Sequence, residues 1–298
     1  MIRWILIAAL AAGALAAVGV GAGAFGYLAH RERWQPFHSL GERAIVKLRR
    51  ELGMATETHD KVDRLETTYL TLRGTVYLMP DQEFRNGGGL TTWGDRLIVL
   101  HSSGKIMSLE EGEGLTLTDM KVPENNLQAY VELAAAEYPE QSPKQKAIRY
   151  NDIEFIDAPA FRGFLISYTY INIEDRCYTS RIDRLPVGSG ATSIGDLRVE
   201  PGDWEPLFES RPCLAFNPER DLIVGYMAGG RMAFKEPDLL YFGNGEYHLD
   251  GIHRRDAGIQ DDASDYGKTI EIDLATGESR VFSKGHRNLQ GVAVDTEG

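Results

Sequence analysis

From Thr67 onward the chain repeats one local pattern: a short run of apolar and polar residues, a turn, and another such run. Side chains that alternate with a period of two bury one face of a strand and leave the other wet. Residues 70–78, 150–156, 163–170 and 177–185 read as strands, with 171–175 closing the last two into a hairpin. Gly94-Asp95 turns 89–93 into 96–100, residues 101–105 turn into 106–109, and 214–224 reads as strand, turn, strand. Short strands at such regular spacing predict an all-β sandwich, barrel or propeller. Residues 125–136 break the rhythm: Leu127, Tyr130, Val131, Leu133 and Ala134 fit a short helical insert that Tyr138-Pro139 closes. Residues 186–203 form a polar, Gly-rich loop.

Two later stretches carry chemistry as well as pattern. The run from Lys268 to Leu274 turns at Ala275-Thr276-Gly277-Glu278 and resumes through Val281 and Phe282, a hairpin signature. It is followed by Gly285-His286-Arg287-Asn288-Leu289-Gln290-Gly291, where a cation and two amides interrupt the alternation. A loop of this kind between strands is where a β scaffold places ligand contacts. Upstream, Gly229-Gly230-Arg231 opens a strand that turns at Pro237-Asp238 and returns through Leu240-Tyr241-Phe242 to Gly243-Asn244-Gly245-Glu246.

These two stretches resemble the glucose/sorbosone dehydrogenase family, the soluble PQQ-dependent sugar dehydrogenases. Leu289 stands where that family usually has Pro; the rest of the seven-residue motif is intact. The resemblance implies a six-bladed β-propeller. At about 40–50 residues per blade, residues 67–298 would hold four or five blades of it. The chain stops inside what reads as a new strand-turn-strand, so a truncated propeller is expected. The resemblance also implies PQQ held with calcium, contacts to that cofactor from Arg287 and Asn288, and oxidation of a sugar C1 hydroxyl by hydride transfer to the quinone.

One position departs from the family. Active relatives carry a His, their general base, at the place of Met227. A base must offer a lone pair within hydrogen-bond reach of the proton it takes, and a thioether is a poor acceptor. No catalytic residue is therefore assigned. The departure supports a second reading, a catalytically silent propeller that serves as a binding or scaffold module. His248, His253 and His286 are the nearest imidazoles that could replace the base. His248, Asp250 and His253 offer zinc-type donors, but in no compact spacing. Asp261, Asp262 and Asp265 gather carboxylates without the spacing of a calcium loop and read as a water-facing turn; no metal ligand is assigned.

Residues 2–29 are apolar apart from Arg3. That exceeds the about 20 residues of a membrane span and the about 7–15 of a signal peptide's apolar core. A transmembrane signal anchor over 1–30 is expected, in contact with the lipid bilayer, with Ala22-Gly23-Ala24 leaving cleavage as the alternative. Residues 31–66 read as a polar linker with a short helix at 44–52. The resemblance places the body, 67–298, in the periplasm of a single-pass inner-membrane protein. Cys177 and Cys213 allow one intramolecular pairing: a disulfide in an oxidising compartment, two buried thiols in the cytosol. The implied periplasmic side favours the disulfide. A net charge of −12 argues against a nucleic-acid partner, because phosphates call for a basic face; the implied small molecule is a sugar.

Overall fold

The structure, a computed structural model, describes residues 61–66, 71–76, 87–110, 114–140, 148–219, 222–249 and 261–295. The chain divides into two compact units, Met1–Asp81 and Gln82–Gly298. In the first, strands β1 (Lys61–Glu66) and β2 (Thr71–Val76) pair antiparallel. β1 lies in the stretch read as linker; the short helix expected at 44–52 lies outside the described residues.

The second unit contains three antiparallel meanders in succession. The first is β3 (Gly88–Trp93), β4 (Arg96–His101), β5 (Ile106–Glu110) and β6 (Gly114–Leu117), each paired to the next. The second is β7 (Tyr150–Asp157), β8 (Arg162–Asn172), β9 (Cys177–Pro186) and β10 (Glu205–Glu209), with the two-residue β11 (Leu214–Ala215) also on β9. The third is β12 (Gly229–Lys235), β13 (Leu239–Asn244), β14 (Lys268–Asp273) and β15 (Ser279–Lys284). The hairpin joining the last two turns where expected. The Asp273 carboxylate accepts hydrogen bonds from the Ala275 and Thr276 N–H groups, and the first of these partners to count, Thr276, holds its pKa below the usual value.

The middle sheet is covered on both faces, which explains why β8 is buried along nearly its whole length. Phe164, Ile166 and Tyr168 pack with Trp93, Ile98, Leu100 and Ile106 of the first meander. The intervening Leu165, with Ile156 and Ile182, packs with Met232, Leu240, Phe242, Ile270 and Ile272 of the third. A period of two thus feeds two separate apolar layers, and a strand buried on both sides reads as a continuous apolar run. Each fully buried side chain of this kind contributes about 1.5–3 kcal/mol.

The helical insert is found as α1 (Leu127–Glu137). Asn125 Oδ1 accepts from Leu127 N–H at 3.1 Å, and Asn126 Nδ2 donates to Ile171 O at 2.8 Å, which ties the helix start to β8. Tyr130 and Ala134 face a third apolar cluster with Tyr178, Leu214, Phe216, Leu222, Ile223 and Tyr247. Residues 222–224, expected as a strand, join no ladder; Leu222 and Ile223 are buried in this cluster instead. The Cys177–Cys213 disulfide is formed and pins β9 to the segment leading into β11.

Two expectations are corrected here. The described residues are mostly β, and their second unit holds three antiparallel sheets of four to five strands rather than four or five blades. The N-terminal transmembrane helix and the single-pass inner-membrane placement are not supported. No helix among the described residues is long and apolar enough to cross a membrane. The one α-helix among the described residues, of 11 residues, is about 16 Å long at 1.5 Å per residue, against a hydrocarbon core of about 30 Å. The apolar stretch 2–29, on which the span was placed, lies outside the described residues.

Candidate functional site

The first strand of each meander runs beside its counterparts: β7 packs against both β3 and β12. Two adjoining cavities open where these strands begin. The larger, about 550 Å³, is lined by Gly87–Leu90, Asp152, Glu154, Arg231, Met232 and Gln290–Val292. The smaller, about 350 Å³, is lined by Gly87, Arg149, Asn151, Gly229, Arg231, Asn288 and Gln290. Gly87, Arg231 and Gln290 are shared, so the Arg231 side chain stands between the two. A surface cavity of about 700 Å³ lies elsewhere, between β5–β6 and residues 198–201. It includes neither motif, and its lysine at 121 already pairs with Glu200. The paired cavities are the ones that residues of both motifs line.

Backbone geometry brings the motifs together. After β15 the chain crosses the end of the third meander, and Leu289 and Val292 lie against the open face of Gly243. Asn288 Oδ1 accepts from Gly229 N–H at 3.1 Å across 59 residues of sequence. Arg287 Nε donates to Glu246 Oε1 at 2.9 Å, and its carbonyl accepts from Glu246 N–H at 2.9 Å. The Glu246 side chain is 1% exposed, so this is its anchor in the fold. Of the two residues expected at a cofactor, Asn288 lines the smaller cavity, whereas Arg287 is turned to Glu246 and lines neither.

The charged groups are sorted by their partners. Asp152 is buried; its carboxylate pairs with Arg231 Nη1 at 3.1 Å and accepts from Met232 N–H at 2.9 Å. Arg231 Nη1 also donates to Gly88 O at 2.8 Å. Burial raises the Asp152 pKa, and these partners oppose the rise. Burial likewise lowers the Arg149 pKa; Tyr247 opposes that shift and the nearby Arg231 charge adds to it. Two guanidinium groups and three amides therefore surround the smaller cavity. Such a donor-rich wall suits carboxylate or another oxyanion.

Protein-family models and curated proteins offer no match to this chain.

Met227 adopts the left-handed backbone region, φ 58°, with its carbonyl accepting from Tyr247 N–H. Its side chain lines neither cavity, and nor does His248 or His286. His286 Nε2 instead meets Ser283 Oγ at 2.7 Å. His253 and Asp250, and with them the zinc-type set, lie outside the described residues. In the acidic turn, Asp262 pairs with Lys284 at 2.7 Å, while Asp261 and Asp265 accept main-chain N–H groups. Among the described residues no group of three or more His, Cys, Asp or Glu side chains is placed to hold a metal ion.

Gly230 sets the distance between β12 and β7. Its φ is 96°, and a Cβ there would collide with the Asn151 side chain, 2.7 Å from Cγ and 2.8 Å from Nδ2. Gly230→Ala is expected to destabilise the fold by about 2–4 kcal/mol through backbone strain and overpacking. It should also push Asn151 into the smaller cavity. Urea unfolding checks the first effect and ligand titration the second.

Proposed function

We propose that the chain is a β-propeller of the glucose/sorbosone dehydrogenase kind, its three meanders being successive blades with β3, β7 and β12 facing the axis. On this reading the paired cavities form an axial site where a sugar C1 hydroxyl is oxidised by hydride transfer to PQQ. One observation supports it above the others: the Gly229-Gly230-Arg231 and Gly285–Gly291 motifs meet at the Asn288–Gly229 hydrogen bond and share one cavity wall.

The donor set fits a carboxylate-bearing quinone. Arg149 and Arg231 would hold its carboxylates, and the amides of Asn151, Asn288 and Gln290 would add directional donors. Because Asn288 Oδ1 is engaged by Gly229 N–H, its contribution is Nδ2. Arg287 is a positioning residue, fixing the loop that carries Asn288 to the buried Glu246. When bound, PQQ supplies a two-electron acceptor, and the protein supplies binding, orientation and electrostatics. Calcium does not fit equally well. It takes about 6–8 oxygen ligands, whereas this wall offers mainly guanidinium and amide nitrogens.

Titration of the purified full-length protein with PQQ is expected to give saturable fluorescence quenching with or without calcium. Arg149→Met should weaken it about tenfold or more, the loss of a charge-assisted hydrogen bond. Dye reduction with an aldose should then follow. Absence of quenching at any concentration defeats the proposal. A second reading, a silent propeller that binds without turnover, is favoured by Met227 in place of the family's base. Saturable quenching without dye reduction would select it.

A further inference from the structure

The missing base leaves a question that the larger cavity answers. Glu154 lines it, on the same face of β7 as Asp152, yet the two carboxyls are treated differently. Asp152 is held by Arg231 and by Met232 N–H. Glu154 accepts one hydrogen bond, from Thr91 Oγ1 to Oε2 at 3.3 Å, and Thr91 is itself fixed by accepting from Phe155 N–H at 2.9 Å. Its other oxygen, Oε1, accepts no hydrogen bond among the described residues. Two neighbouring carboxyls in unlike surroundings are a common basis for dividing acid–base roles. The facing wall is apolar at Leu90 and Val292 and main chain at Gly88 and Gly89, which suits the C–H face of a polyol.

We propose that the larger cavity binds a hydroxyl-bearing ligand such as an aldose, and that Glu154 is the proton acceptor for that hydroxyl. The inference rests on the preceding section for the ligand class. In the step, the ligand O–H bond breaks, the proton goes to Glu154 Oε1 and the electron pair stays on the ligand oxygen. That pair closes the C=O bond as the carbon loses hydride, with its two electrons, to the quinone. Burial first, and then the adjacent Asp152 charge, push the Glu154 pKa up to about 7, while the Thr91 hydrogen bond and the Arg231 charge pull it back. A group with a pKa near the working pH is suited to this task.

The test is equilibrium dialysis of D-glucose against the cofactor-free full-length protein from pH 5.5 to 8.5, beside Glu154→Gln. Affinity in the wild type should rise several-fold with an inflection near neutrality, because a ligand hydroxyl donates to the carboxylate. Glu154→Gln should bind weakly and without that inflection. In protein loaded with PQQ it should lose on the order of 100-fold or more in kcat, with quenching by PQQ unchanged. If Glu154→Gln melts early, Thr91→Val serves in its place: removing the donor should move the inflection to higher pH. Matching pH profiles for wild type and variant, or no glucose retained at any pH, overturns the assignment. Glucose binding with the inflection but without PQQ quenching would leave Glu154 in place and remove the quinone reading instead.

Discussion

Opening the Cys177–Cys213 disulfide is expected to lower the unfolding free energy by about 3–4 kcal/mol, the loop-closure value for the separation involved. That separation is 36 residues, and the loop it closes contains most of β9, all of β10 and the polar stretch between them. The bond also holds β11 against β9, pairing Leu214 with Tyr178, and so keeps Phe216 in the cluster beneath α1. Urea unfolding of the Cys177→Ser, Cys213→Ser double variant, beside the oxidised parent, measures the loss. A change below about 1 kcal/mol would mean that the unfolded chain gains little freedom when the link is gone. The effect should fall on the unfolding midpoint and leave the paired cavities unaltered, since neither cysteine lines them.

Asp152→Ala is expected to cost about 3 kcal/mol, at the low end for breaking a buried ion pair because Arg231 keeps some contact with water. The Arg231 side chain is 32% exposed, that of Asp152 only 6%. The alanine leaves the Met232 N–H without its acceptor and Arg231 without its counter-charge, in the layer where β7 meets β12. Asp152→Asn separates the two contributions. It keeps an acceptor for Met232 and removes the charge, so it should cost about 1 kcal/mol, the scale of a single net hydrogen bond. The smaller figure follows from burial, which already disfavours the ionised Asp152 carboxyl. Equal losses for the two variants in urea unfolding would show that charge, not hydrogen bonding, holds this junction.

Hairpins were the most legible part of the fold. Gly94-Asp95 and the turn at 275–278 bring together strands whose alternation is strong, and α1 was bounded by its apolar spacing and by Pro139. What escaped was weakly patterned. β6 is four residues long and half exposed, and β10 carries Pro206, which demotes a run to an edge strand. Leu222 and Ile223 show the converse: apolar residues that pay for burial in side-chain packing without a ladder. At the site, the sequence singled out Arg231, Asn288 and Gln290 through motifs that pair distant segments. It gave no hint of Arg149, Asn151, Asp152 or Glu154. Polar residues along a strand look like its wet face, and only the approach of β3 and β12 turns that face into a cavity wall. The buried partner of Arg287 was equally invisible, because Glu246 lies 41 residues upstream.

Much of the cavity lining is bare main chain, from Gly87 to Gly89 and again at Gly229. On the proposed reading, selectivity would therefore reside in a handful of long side chains that reach across this main-chain floor. Exchanging those few tips would retarget the molecule toward other small compounds without repacking a single sheet, so binding preference can diverge much faster than architecture.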